Sequence, residues 1–230
     1  PVVQTNIAVM DPTTGSVTTF LDGEAVTKLR TVAASIVAAQ ALANPPTKVG
    51  IVGLGHQGLA HAHAVTKIFK PRELIGIARN PESNSFSESG AAKLFSSVTS
   101  EISALRECDL IFLCTNSATP VIKEEIPEGG TCISIGSFAP NRSEVAPELI
   151  AAADQVVVDD VEISSAQCGG VKGALEISKR NWSSVRSIGS ALSGSGRRSP
   201  SERIYFFSVG LGIQDAAIAE IILNKLSARG

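Results

Sequence analysis

The chain has 230 residues, 43% of them hydrophobic and 18% charged, a globular composition long enough for one large domain or two small ones. A net charge of −2 supplies no electrostatic attraction to nucleic acid or to an acidic membrane surface. No apolar run approaches the ~20 residues that span a bilayer, so neither nucleic acid nor membrane is expected as a partner.

Four cysteines, Cys108, Cys114, Cys132 and Cys168, form no CxxC pair, and three of them lie in or beside apolar stretches. That usage fits buried, reduced thiols in a cytoplasmic compartment. The three histidines crowd together at His56, His61 and His63. His61 and His63 are two apart on a predicted helix and point to different faces, so no metal site is expected.

In chain order, Val2 to Met10 and Ser16 to Leu21 read as a β-hairpin around Asp11-Pro-Thr-Thr-Gly15, closed by Asp22-Gly23. From Glu24 to Ala43 the apolar residues Val26, Leu29, Ala33, Ile36, Val37 and Leu42 recur near the helical period. Asn44-Pro-Pro46 ends that helix. A β-branched run, Val49 to Val52, then enters Gly53-Leu-Gly55-His-Gln-Gly58, and a helix is predicted from Leu59 to about Phe69.

This strand, glycine turn and helix have the spacing of a dinucleotide-binding unit. Gly53 makes the turn, Gly55 lets the backbone approach a pyrophosphate, and Gly58 lets helix and strand pack closely. Glu73 to Ala78 is the second strand, and a Ser-rich stretch from Ser83 to Ser100 holds a short helix around Ala91 to Phe95. Continuous apolar strands follow at Asp109–Cys114, Thr131–Ile135 and Gln155–Val158, the pattern of a parallel sheet covered on both faces.

The alternation predicts an α/β fold, a doubly wound Rossmann-type parallel sheet over residues 47–179. A loop, Ser193-Gly-Ser-Gly-Arg-Arg-Ser-Pro200, leads to a strand from Arg203 to Val209 and a helix from Leu211 to Leu226. Ile218, Ile221, Ile222 and Leu226 mark a packed face on that helix. Residues 1–46 and 180–230 are expected to form a second, smaller α+β unit for substrate binding and oligomerisation, built from the hairpin, the long helix and the C-terminal helix.

An NAD-binding unit carries Asp or Glu at the end of its second strand to accept from the ribose 2′-hydroxyl. Here the place reads Ala78-Arg79-Asn80, with no carboxylate before Glu82. Arg79 would pair with a 2′-phosphate, so NADPH is favoured over NAD; the alternative is a solvated charge at a strand end. Thr115-Asn116 and Gly136-Ser137-Phe138 follow apolar strands, where ligands of open parallel sheets collect, though such residues also close turns by local hydrogen bonds.

Four separated stretches share one resemblance. Thr27-Lys-Leu-Arg30-Thr-Val-Ala-Ala34 resembles the TxxRTAA helix of the ornithine cyclodeaminase/mu-crystallin family, and Val52-Gly-Leu-Gly-His56-Gln57 resembles its GxGxQ loop. Gly136-Ser-Phe-Ala-Pro140-Asn-Arg142-Ser-Glu144 is similar to its GxxxPxxxEL stretch, and Ser208-Val-Gly-Leu-Gly-Ile-Gln-Asp215 to its SxGxxxxD segment. The motifs come in the family's order and span nearly the whole chain.

The resemblance implies hydride exchange between a nicotinamide and a carbon bearing both nitrogen and carboxylate. It implies a substrate-carboxylate role for Arg30, a cofactor or substrate pocket lined by Arg142 and Ser208, and a homodimer. Asp215 matches a family carboxylate that could equally cap or pair structurally. In cyclodeaminases and alanine dehydrogenases the residue matching Phe138 is an acid–base aspartate. A phenyl ring moves no proton, so Phe138 reads as a pocket wall and the chain looks most like the family's ketimine reductases. The expected activity is NADPH-dependent reduction of a cyclic imino acid of the pyrroline- or piperideine-2-carboxylate class. The alternatives are an NAD-dependent cyclodeaminase or alanine dehydrogenase, and a non-catalytic NADPH-binding protein of the mu-crystallin kind. Family members carry a further segment before the residues matching Pro1, supplying a substrate-binding Arg and Lys, and the sequence here starts after it.

Overall fold

In the computed structural model the described residues are 5–81, 90–194 and 196–228. The expected start of the first strand at residues 2–4, Glu82 and the first part of the Ser-rich stretch, residues 83–89, and Ser195 lie outside them.

The hairpin forms from β1 (Asn6–Met10) and β2 (Val17–Asp22), paired antiparallel with Ile7 opposite Leu21. Asp11 shapes its turn by accepting from the Thr13 and Thr14 N–H groups at 2.7 and 3.0 Å. Asp22 then caps α1 (Gly23–Leu42), its carboxylate accepting from the Glu24 and Ala25 N–H groups at 2.9 and 3.2 Å. The buried face of α1 is not quite the one expected. Val26, Ile36 and Leu42 are buried, but Leu29 and Val37 are 49% and 41% exposed, and Ala38 and Ala39 take their place. Ala38 and Ala39 are buried together with Ile36 and Leu42 where α1 packs against a second helix and the main sheet.

Eight strands make one all-parallel sheet: β3 (Lys48–Val52), β4 (Glu73–Ile77), β5 (Ser97–Thr99), β6 (Leu110–Leu113), β7 (Thr131–Ser134), β8 (Gln155–Val158), β9 (Arg186–Ser187) and β10 (Ile204–Phe207). Their order is β5-β4-β3-β6-β7-β10-β8-β9. From β3 the chain builds outward to β4 and β5, then restarts at β6 on the other side. That reversal opens a crevice at the carboxyl ends of β3 and β6, where doubly wound sheets bind ligands.

Helices cover both faces. On one lie α1 and α2 (His56–Ile68), over Val49, Ile51, Phe112, Ile133 and Phe206; on the other Val52, Ile111, Leu113, Tyr205 and Phe207 pack with Ile150, Val171 and Leu175. Those last three belong to α3 (Pro147–Ala151) and α5 (Gly169–Ser178), with α4 (Val161–Gln167) between them.

The expected boundary at 179 does not divide the fold. Ile204 to Phe207 is buried throughout and hydrogen-bonded to both β7 and β8, so the strand assigned to the smaller unit is central to the sheet, and β9 forms its edge. A wholly apolar strand needs cover on both faces, which only the interior of the main sheet provides. After α6 (Ile188–Ser193), Arg197 anchors the loop that leads into β10. The last helix, α7 (Gly212–Ser227), packs on α1, yet Ala219 is its one buried residue, and Ile221 and Leu226 are 50% and 56% exposed. Of its expected apolar set, Ile218 and Ile222 are half-buried, while Ile221 and Leu226 are left uncovered in this chain.

Candidate functional site

The glycine turn closes on itself through contacts that no side chain could share. Gly53 has φ +90°, and a Cβ on it would meet the Cys114 carbonyl oxygen at 2.6 Å. A Cβ on Gly58 would collide with the Gly53 carbonyl. Gly55 differs: nothing lies within 4 Å of the position its Cβ would take. It is the N-cap of α2, with no side chain capping the helix. The helix starts at His56, three residues before the expected Leu59, and its uncapped N-terminus beside the open position at Gly55 is of the kind that binds anions. The cradle fits a dinucleotide pyrophosphate.

His56 is exposed at the mouth of this turn, 3.7 Å from Glu24 at the start of α1, and Gln57 holds a buried side-chain oxygen without a hydrogen-bond partner. His61 turns inward against Phe112 and accounts for itself structurally, its Nδ1 lying 2.7 Å from the Gln57 carbonyl; His63 is exposed. Arg79 and Asn80 are exposed just beyond β4, on the side of the crevice away from β6.

Thr115 and Asn116 follow β6, and Gly136 to Phe138 follow β7, so the two turns stand side by side at the carboxyl edge. Glu144 joins them. Its buried carboxylate accepts from the Thr115 N–H and hydroxyl at 2.8 and 2.6 Å, and from the Ser134 hydroxyl and Gly136 N–H at 2.8 and 2.7 Å. Burial pushes this carboxyl above its ordinary range, and the four donors oppose that shift without cancelling it. Arg142 donates through Nη2 to the carbonyl and side-chain oxygens of Asn116, each at 2.6 Å, and lays its guanidinium 4.8 Å from the centre of the Phe138 ring. Phe138 is 46% exposed at the rim of these turns.

Arg30 approaches from α1. Its Nε lies 3.2 Å from Asp215 of α7, and its Nη1 donates to the Gln214 side-chain oxygen at 3.3 Å. Gly210, with φ +83°, passes beneath: a Cβ there would overlap the guanidinium. Ser208 donates to Asp159 at 2.9 Å, and the Val209 and Gly210 N–H groups donate to the same oxygen at 2.8 Å each. Burial pushes the Asp159 carboxyl up, opposed by those donors and by the Arg30 charge. Arg30, Ser208 and Asp215 thus meet in one cluster over β8 and β10. Thr115, Asn116, Gly136, Ser137, Phe138 and Arg142 form a second over β6 and β7, and the glycine turn a third over β3.

Three residues central to this geometry carry no assigned role in the sequence alone. Glu144 stands only as the last letter of one motif, Gln214 only inside another, and Asp159 is not singled out. The usable signal was position: Asp159 directly follows the apolar strand β8, where a carboxylate faces the ligand edge.

The sequence profile of the ornithine cyclodeaminase/mu-crystallin family matches residues 1–230. The chain belongs to that family. The iminosuccinate reductase of Paracoccus denitrificans is 30% identical over 234 residues, covering 99% of this chain and 72% of the relative. Thermococcus litoralis Δ1-pyrroline-2-carboxylate reductase, solved with NADH and L-proline, matches at a TM-score of 0.88 and 26% identity, over 98% of this chain and 72% of that one. An archaeal alanine dehydrogenase dimer with bound NAD matches at 0.85 and 30% identity, over all of this chain and 73% of that one.

Proposed function

We propose that this family member is a nicotinamide-dependent reductase of a small cyclic imino acid of the pyrroline- or piperideine-2-carboxylate class. The observation that carries this reading is Arg30, a guanidinium held by Asp215 and Gln214 at the carboxyl edge of the same sheet that presents the glycine cradle. Such a fork suits a substrate carboxylate. Nicotinamide, when bound, supplies the hydride to the C=N carbon. Phe138 walls the pocket where an acid–base residue would be needed to eliminate ammonia, which favours reduction of a preformed C=N bond over deamination. The reductase relatives from P. denitrificans and T. litoralis support the same chemistry.

Arg79 and the absence of an acidic residue among positions 78–81 support NADPH as the preferred cofactor; the relatives whose structures hold NAD or NADH make NADH the competitor to test. Residues 1–46 and 180–230 supply the substrate side, with Arg30 and Ser208 contributed from elements that also complete the main fold. Two copies are expected to pair through the apolar side chains left exposed on the hairpin and on α1 and α7, Phe20 and Ile213 at 70% and 72% among them.

The test is oxidation of NADPH and of NADH, followed by absorbance, with Δ1-pyrroline-2-carboxylate, Δ1-piperideine-2-carboxylate and iminosuccinate. Turnover of a cyclic imine with NADPH preferred is the expected result. Nucleotide binding without turnover of any imine would replace the reductase by a binding protein of this fold, and ornithine or alanine turnover would revive deamination.

A further inference from the structure

Glu144 is fully buried, yet its side chain makes no contact with Lys or Arg among the described residues. Each of its oxygens receives one main-chain N–H and one hydroxyl: Thr115 supplies both on one side, Gly136 and Ser134 on the other. The network returns to its origin. The Glu144 N–H donates to the Ser137 hydroxyl at 3.0 Å, which stands 2.8 Å from the Ser134 hydroxyl, which in turn donates to the Glu144 carboxylate. The Glu144 carbonyl also accepts from the Val121 and Ile122 N–H groups. Main-chain N–H groups cannot reverse, so two of the four donors are obligatory, and they favour the ionised carboxylate.

A buried anion without a cation is costly, and a purely structural link between two strand ends could have used neutral groups. The place of the charge is informative. In a doubly wound sheet the adenine half of a dinucleotide lies over the strands on the β4 side of the crevice and the nicotinamide half over the β6 and β7 side. Glu144 lies directly behind the turns that follow β6 and β7. An anion there attracts the positively charged oxidised ring and not the neutral reduced one.

We propose that Glu144 is a positioning residue of the nicotinamide site, a buried anion that locks the Thr115 and Gly136 turns and biases binding toward the oxidised nucleotide. The proposal rests on the nucleotide reading above, and it adds a property that reading does not require. The bias helps drive hydride away from the reduced nucleotide.

The experiment measures dissociation constants of the oxidised and reduced forms of one nucleotide by calorimetry, in the wild-type protein and in Glu144→Gln. The amide keeps the shape but turns an NH2 toward donors, so thermal stability should fall. In the folded variant the oxidised form should weaken relative to the reduced form by about fivefold or more, as expected for loss of a nearby charge in a poorly solvated site. A merely structural role would lower stability or weaken both forms alike; an unchanged ratio overturns the proposal. Should Glu144→Gln not fold, carboxyl-carbon NMR of the wild-type protein decides: an ionised Glu144 signal at pH 7 that moves further with oxidised than with reduced nucleotide supports the proposal, and a protonated one, or equal movement, overturns it. Failure of the wild-type protein to bind either form would instead overturn the nucleotide reading, and the proposal with it.

Discussion

Arg30 on α1 and Asp215 on α7 form an ion pair at 3.2 Å without a hydrogen bond, both the Arg30 Nε and the Asp215 oxygen being buried and unpartnered by that stricter measure. The carboxylate fixes where the guanidinium sits without saturating its donors, which leaves the fork able to receive a substrate carboxylate. Asp215→Asn should therefore raise the KM for the imino acid several-fold with little change in kcat. Arg30→Ala should raise it by about a hundredfold, the order expected on losing a bidentate charge-assisted pair. Steady-state kinetics on the two variants measures both, and equal effects on KM and kcat would move Arg30 from substrate binding to scaffolding.

Gly210 makes a sharper prediction at the same place. Alanine there must adopt φ +83° and push its methyl into the Arg30 guanidinium. The strain costs about 1–2 kcal/mol of stability. The displaced Arg30 should raise the KM for substrate about tenfold while nucleotide affinity stays as it was, since the glycine cradle lies over β3. Denaturant melts and nucleotide titrations separate the two effects.

Most of this fold could be read from composition and spacing because its strands are short apolar runs, and β8 matches its expected limits residue for residue. What could not be read was pairing at long range. Ile204 to Phe207 is visibly a strand, but nothing local in Tyr205 or Phe206 says that it slides between β7 and β8. The same holds at the site. Gly53, Gly55 and Gly58 declare themselves by spacing within six residues, whereas Glu144 matters through partners at Thr115, Ser134 and Gly136 that only the sheet brings together. Amphipathic pattern held only in part on α7, where Ile218 and Ile222 are half-buried but Ile221 and Leu226 are apolar without being covered in this chain.

Arg197 tests whether the amino edge of the sheet can be weakened without touching the site. Its guanidinium donates to the carbonyls of Leu42, Gly129 and Glu202 at 2.9, 3.0 and 2.6 Å and to the Thr131 hydroxyl at 2.8 Å, tying α1 to the turn before β7 and to the loop entering β10. Arg197→Ala strips these acceptors at once and should cost about 2–4 kcal/mol. Activity per folded molecule should be unchanged, because every partner lies at the opposite end of the strands from the cradle. A shifted KM would show that the two edges are coupled.

The glycine turn offers a paired comparison. Gly55→Ala places its methyl in open space, so the folded protein should keep its stability to within about 0.5 kcal/mol. That space is where the pyrophosphate has to approach, and nucleotide affinity should drop at least tenfold. Gly58→Ala drives a methyl into the Gly53 carbonyl and should destabilise the fold whether or not nucleotide is present. Thermal melts with and without nucleotide give all four values, and equal stability losses in the two variants would mean that the space at Gly55 serves packing and not a ligand.

His61 sets a pH dependence whose sign follows from its burial. Desolvation lowers its pKa from 6.5 to about 4, outweighing the Gln57 carbonyl that favours the charged ring, and Nε2 has no partner beside Phe112. The folded pKa is depressed, so above 6.5 both folded and unfolded chains hold a neutral ring and the group contributes no pH dependence. As pH falls from 6.5 towards 4 the unfolded chain takes up a proton that the folded one refuses, and stability declines by an amount on the order of 3 kcal/mol across that window. Other groups titrate there too, with Glu144 and Asp159 pushing the opposite way because their folded values are raised. The contribution of His61 is therefore the difference between wild-type and His61→Leu unfolding free energies, followed from pH 7.5 to 4. That difference should tilt steadily in favour of the leucine variant below 6.5, and parallel curves would mean that the imidazole is not held neutral in the folded protein.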